Sequence, residues 1–193
     1  MNLITFITQL KSVKETLQPG GEGYNTVLRE IALGSLGLIK MRIHEEGKAV
    51  DGSDIGQYNK TTPLYVNPNN SPVKFTPAGK PKPGKKQRKT KVNGKERKTR
   101  YFTSYDDFKT YIGRNELNKV NLFLTGDLQN QFTVIATDKG FGLGWTNEEK
   151  LIIAKAMEVK YGKVIYGLSE DERQKALQTG TDVANEVVIN ALS

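Results

Sequence analysis

"FTVIATDKGFGLGW", residues 132–145, alternates apolar and small or polar residues on both sides of Asp138-Lys139-Gly140, the pattern of an antiparallel hairpin. Phe141, Leu143 and Trp145 take one face of its second strand, and Gly140, Gly142 and Gly144 take the other. A glycine face lets another backbone approach closely, so these three glycines are candidate subunit-packing positions. The same "GFGLG" lacks the G-x-G-x-x-G spacing of a phosphate loop and joins no strand to a helix through a Gly-rich turn, which argues against nucleotide binding.

Helical periods flank the hairpin on both sides. Before it, "VNLFLTGDLQNQF" (120–132) gives an apolar segment and then a short helix, with Thr125 as its cap and Leu128 and Phe132 pointing inward. After it, Asn147 caps "EEKLIIAKAMEVKYG", which is acidic at its start and stopped by Gly162. Ser169 and Glu172 form a capping box for a last helix from Glu170 towards Leu192. A strand period set among helical periods, with no βαβ alternation, implies an α+β fold: antiparallel hairpins packed with several helices.

The N-terminal half adds two helices. Leu3, Phe6, Ile7, Leu10, Val13 and Leu17 recur at helical spacing, so residues 2–17 form an amphipathic helix ended by "PGGEG". In "YNTVLREIALGSLGLIKMRIHEEG" (24–47) a face of Leu28, Ile31, Ser35, Ile39 and Ile43 implies a long helix stopped at Gly47. Gly34 and Gly37 inside it each cost roughly 1 kcal/mol against alanine, and they are read as a helix-packing face. From Lys48 to Gly79 the density of Gly, Pro, Asn and Asp marks ordered loop with short strands. Later, Ser104 with Asp107 resembles a capping box for a short helix whose Tyr105, Phe108 and Ile112 share a face. Core packing is the favoured role for those aromatics, with base stacking the alternative.

No packed core accounts for "GKKQRKTKVNGKERKTR" (84–100). From Lys80 to Arg100 there are eleven basic residues and one acidic, Glu96, a net +10; the chain totals +8, so the other 172 residues carry −2. Asn93-Gly94 between "QRKTKV" and "KERKTRYF" is a strong hairpin signal, because a type I′ turn needs positive φ at both central residues. The segment is therefore read as a projecting basic β-hairpin arm, an appendage at 80–100 on a single domain spanning 1–193. Lys85, Lys86, Arg88, Lys89, Lys91, Lys95, Arg97, Lys98 and Arg100 are its candidate partner- or DNA-binding residues.

Composition excludes several chemistries. With no cysteine there is no disulfide, thiolate metal site or thiol nucleophile. The first residues lack a basic n-region and a cleavage site, and no apolar run is long enough to span a bilayer, so neither export by a signal peptide nor membrane insertion is expected. His44, the only histidine, sits by Glu45 and Glu46 and reads as a solvated helix end. Asp51 and Asp54 lack the ligand count of a calcium loop. The acids at 106–107 and 170–172 occupy first helical turns, where they favour the helix dipole. No nucleophile has a base, so no catalytic residue, metal ligand or cofactor is assigned and the chain is not expected to be an enzyme.

Several of these motifs resemble the virion-morphogenesis and tail-completion proteins of tailed bacteriophages. In that family an L-[ST]-G-x-L turn precedes a β-hairpin, matched here by Leu124, Thr125, Gly126 and Leu128. An [RI]-x-[FY]-G-L-S-x-x-[DE] segment opens the C-terminal helix in that family, and Tyr166, Gly167, Leu168, Ser169, Asp171 and Glu172 fill it here. "RIHEEGKAVDGSDIGQY" (42–58) is similar to the family's glycine-punctuated leader, whereas Lys160-Tyr161-Gly162 departs from its usual corner. The resemblance implies an α+β subunit of a head-to-tail connector, tail-completion or terminator ring in the virion, assembled in the host cytoplasm. Its partners would be further copies of itself and the portal, connector and tail proteins, with non-specific DNA contact compatible. The alternative is a sequence-nonspecific nucleic-acid-binding protein that uses the arm. The chain shows no reading helix rich in Arg, Asn and Gln to contact base edges, which favours the structural role.

Overall fold

The computed structural model describes residues 3–66, 87–92, 95–113, 119–122, 126–138 and 140–192. Six helices and five strands follow one another within these residues: α1 (Leu3–Leu17), α2 (Glu22–His44), β1 (Leu64–Val66), β2 (Gln87–Val92), β3 (Lys95–Phe102), α3 (Tyr105–Tyr111), α4 (Asp127–Gln131), β4 (Phe132–Thr137), β5 (Gly140–Trp145), α5 (Glu148–Tyr161) and α6 (Glu170–Leu192). The fold is α+β, as the alternation of periods implies.

The long helix α2 is the spine. It packs along α6 on one side and against the β4–β5 hairpin on another, while α1 lies across both long helices. Ala32, Ser35, Ile39 and Ile43 are buried along it, on the face expected from the 3.6-residue period. Ile39 and Ile43 join Ala49, Ile55, Tyr58, Val120, Phe132 and Ile165 in the main core. Phe132, Trp145 and Tyr166 stack at its edge, with Trp145 and Tyr166 rings edge-to-face at 4.8 Å.

Local signals place the helix ends. The Asn147 side chain accepts from Glu149 N–H at 2.8 Å, and Gly162 closes α5 in the left-handed conformation. Ser169 Oγ accepts from Glu172 N–H while Glu172 Oε2 accepts from Ser169 N–H, a complete capping box for α6. At α3 the box is offset: Ser104 Oγ accepts from Asp107 N–H, but the Asp107 carboxylate takes the N–H of Thr103 instead. The cap position of α4 is Gly126, left-handed at φ 81° with no side-chain cap, rather than Thr125, which lies outside the described residues.

Two sheets form, and one differs from expectation. β4 and β5 pair antiparallel from Phe132↔Trp145 to Thr137↔Gly140. β2 and β3 pair from Gln87↔Arg100 to Val92↔Lys95, and the expected Asn93-Gly94 turn lies outside the described residues. The basic hairpin is not an isolated ribbon, however. β1 adds to the far edge of β3, with Leu64↔Phe102 and Val66↔Arg100, giving the order β1-β3-β2. Phe102 is buried against Phe108 and Tyr111 of the α3 segment, so the base of β3 belongs to the core.

The helix-packing glycines are also different from those expected. A Cβ at Gly37 would meet nothing within 4 Å, and one at Gly34 would only touch Thr179. Gly37 lies between Leu33 and Met41 on the exposed side of α2. The glycines that α2 and α6 need are Gly23, where a Cβ would come within 2.6 Å of Val187 Cγ1, and Gly180, where one would come within 2.5 Å of Ile31 Cδ1. The paired substitutions therefore have opposite signs. Gly37→Ala should stabilise by about 0.5–1 kcal/mol through helix propensity. Gly180→Ala should destabilise by about 1–3 kcal/mol through overpacking. Urea denaturation measures both, and equal signs would contradict this packing.

Candidate functional site

Three surfaces and one buried histidine carry the chemistry. The first surface is the basic hairpin. Arg88, Lys89 and Lys91 lie in β2, and Lys95, Arg97, Lys98 and Arg100 lie in β3. The register sets Lys89 opposite Lys98 and Thr90 opposite Arg97, while Lys91 faces the one acid, Glu96. Seven cations thus lie on two paired strands. Lys85 and Lys86 lie outside the described residues.

The second surface is the glycine face of β5. Within the chain, side chains rather than a second backbone close over it. A Cβ at Gly140, where φ is +127°, would sit 2.8 Å from Leu28 Cδ1, and one at Gly144 would sit 2.8 Å from Ile135 Cδ1. Gly142 differs: its nearest neighbour would be Thr137 Cγ2 at 3.9 Å, so it stays open to an outside partner. Apolar side chains are exposed elsewhere too, led by Val159 at 83%, Val164 at 63%, Ile189 at 62% and Ile152 at 60%. Patches of this kind mark interaction surfaces when they are contiguous.

The third surface is a cleft of about 640 Å³ that no local motif announces. The loop at Gln57–Asn59, helix α3, Leu122, the start of α4 from Gly126 to Leu128, and helix α5 form its walls. Leu122, Leu128, Ile153 and Met157 line it, together with the rings of Tyr58, Tyr105 and Tyr161. Lys109, Lys150, Lys160 and Asp127 supply its charges, and Lys150 pairs with Asp127. Lys109 is only 1% exposed, with its ammonium 5.0 Å from the centre of the Tyr58 ring, within cation–π range. Burial pushes the Tyr58 hydroxyl up to about 12, and that hydroxyl donates to Asn121 Oδ1 at 2.8 Å. Burial raises the Tyr105 and Tyr161 hydroxyls as well, so all three rings meet a ligand as neutral phenols. Leu122 has φ +49°, an uncommon conformation for a leucine, at the point where the chain bends into the cleft wall.

His44 corrects the expectation of a solvated helix end. It is 8% exposed, and its Nδ1 lies 2.9 Å from the backbone carbonyl of Asn121. A carbonyl only accepts, so Nδ1 carries the hydrogen. The aspartates of the "DGSD" turn have structural roles: Asp51 accepts from Ser53, and Asp54 pairs with Lys119 at 3.0 Å. Among the described residues no group of three or more His, Asp or Glu side chains is placed to hold a metal ion, and no helix is long and apolar enough to cross a membrane. Comparison with protein-family models, curated proteins and solved structures returned no match.

Burial, reinforced by the charge of Lys40 and opposed by the Asn121 carbonyl, holds the pKa of His44 below the ordinary histidine value. Such a histidine stabilises the fold fully above its unfolded pKa, and that contribution falls as pH drops below about 6.5. Because His44 is the only histidine, the effect is separable. Unfolding free energy should decline between about pH 7 and 5, and His44→Gln should flatten that decline. An imidazole NMR titration at or above the ordinary value would contradict the burial account.

Proposed function

We propose that the chain is a structural subunit of a bacteriophage neck or tail, acting as a head-to-tail connector, tail-completion or terminator ring component of the virion. The observation that carries this reading is the apolar surface left uncovered within the chain: Ile152 and Val159 on α5, Ile189 on α6, and the Leu33–Gly37–Met41 stripe on α2. Head-to-tail contacts between such surfaces give rings when they close. The resemblance noted in the sequence supports the assignment, because its motifs fall on features with a physical role. Gly126 makes the left-handed turn before the β4–β5 hairpin, and Ser169 and Glu172 make the capping box that starts α6. The basic hairpin then docks on an acidic face of a neighbouring ring, and its charge disfavours self-association in the absence of that neighbour.

A second reading rests on the same seven cations of β2 and β3: a sequence-nonspecific nucleic-acid-binding protein. One experiment separates the two. Mass by light scattering and negative-stain electron microscopy are recorded for wild type, for Gly142→Leu and for a variant with residues 87–98 replaced by a Gly-Ser linker, with and without duplex DNA. The ring reading expects closed rings at high salt, lost in Gly142→Leu, at a position where a Cβ meets nothing nearer than Thr137 Cγ2 at 3.9 Å. Wild type that stays monomeric throughout, or rings indifferent to Gly142→Leu, would overturn it. Tight, sequence-blind DNA binding by the monomer, falling roughly 10³–10⁵-fold between about 50 and 200 mM salt and lost with the hairpin, would establish the second reading instead.

A further inference from the structure

The cleft between α3 and α5 differs in kind from the basic hairpin. It is concave, its walls are largely apolar, and its volume of about 640 Å³ lies within the roughly 300–1,000 Å³ typical of ligand sites. Three lysines and one aspartate are the charged residues of its described lining, a net +2. Lys109 and its charge are held over Tyr58 at the buried end, whereas Lys160 is on the exposed side of α5. Lys150 is already bound to Asp127, so it can share that ion pair with a second carboxylate. The tyrosine faces and Met157, an adaptable side chain, suit a flat or branched apolar group. The floor is made possible by Gly56: a Cβ there would come within 2.9 Å of the Tyr161 ring and push it into the cleft.

We propose that this cleft is a docking site for an acidic, apolar peptide segment of a partner protein. One leucine or phenylalanine side chain enters between Tyr105, Leu122, Leu128 and Met157, and carboxylates flanking it meet Lys150 and Lys160. Charge complementarity selects this occupant. A second copy's basic hairpin is repelled by the lysines, and an apolar segment without acids brings no carboxylate to Lys160 on the exposed side of α5. Nucleic acid fits less well: the described lining residues include no arginine and no row of cations to follow a phosphate backbone. Ile153, a lining residue, is itself 39% exposed, so the apolar wall reaches the surface of α5. This inference stands apart from the ring reading, and each can fail alone.

The test uses the full chain and the blocked peptide acetyl-Asp-Asp-Leu-Phe-Asp-Asp-amide, followed by ¹H–¹⁵N NMR shifts and by calorimetry. Acidic peptides will also visit the basic hairpin, so the decisive control replaces Leu-Phe with Ala-Ala. The expected result is shifts at Tyr105, Lys109, Leu128 and Met157, with affinity reduced about tenfold or more for the Ala-Ala peptide. Met157→Trp, which fills the cleft, should remove the same shifts, and so should Lys150→Glu combined with Lys160→Glu on the exposed side. Gly56→Ala should weaken binding through Tyr161. Equal binding of the Ala-Ala peptide, unchanged shifts in Met157→Trp, or stronger shifts of these residues by an oligothymidylate would overturn the proposal.

Discussion

One buried ion pair ties together parts of this molecule that lie 130 residues apart in sequence. Arg42, near the end of α2, donates through Nε to Glu172 Oε1 at 2.8 Å, and both side chains are almost fully buried. Its remaining donors reach the carbonyls of Lys48 at 3.0 Å, Ile165 at 3.1 Å and Gly167 at 2.7 Å. A planar guanidinium with five donors is suited to this task, and a lysine would leave most of those acceptors unpaired. The partner carboxylate is occupied on both oxygens, since Glu172 Oε2 also completes the capping box with Ser169. The pair therefore joins the end of α2, the loop after it, the corner after α5 and the start of α6. An Arg–Glu pair held this way is weak evidence for net stability but strong evidence for a specified geometry, because removing one partner strands the other.

What that frame carries is a division of labour between charge and apolar surface. The α2–α6 pair and the β4–β5 hairpin spend most of their apolar faces on one another, yet Val159, Ile152 and Ile189 remain exposed. The cations are concentrated on β2 and β3, next to β1 and rooted through Phe102 in the α3 aromatic group. The cleft sits on the other flank of α3, lined by Tyr105 and Lys109. One short helix thus borders both the root of the basic sheet and the cleft. Two partners of different chemistry, one polyanionic and one acidic and apolar, would meet the chain on surfaces anchored to the same aromatic cluster.

How much of this was legible in the sequence follows from the range of each interaction. Asn147, Gly162 and the Ser169–Glu172 box act within one helical turn, and each appears where its local pattern places it. The pairing of β4 with β5 is equally local. Gly37 and Gly180 look alike as glycines inside helices, and only the facing helix decides that Ile31 crowds one while the other looks into solvent. His44 reads as solvated from its acidic neighbours, but the Asn121 carbonyl that buries it comes from a distant segment. The addition of β1 to β3 is a non-local pairing with no turn signal. Arg42, the cleft and its Lys109 were invisible for the same reason: their partners come from segments well separated along the chain.

The claim that the frame is closed by Arg42 and Glu172 is tested most directly by a double-mutant cycle in urea. Arg42→Met, Glu172→Gln and the double variant are compared with wild type by unfolding free energy; glutamine keeps the capping box while removing the charge. The account predicts that Arg42→Met alone costs about 3–5 kcal/mol, because it leaves a buried carboxylate without its cation. It also predicts that the double variant costs at least about 1 kcal/mol less than the two single losses added together. Strict additivity, or a loss below about 1 kcal/mol for Arg42→Met, would contradict it, because surface substitutions behave that way and a buried clamp does not.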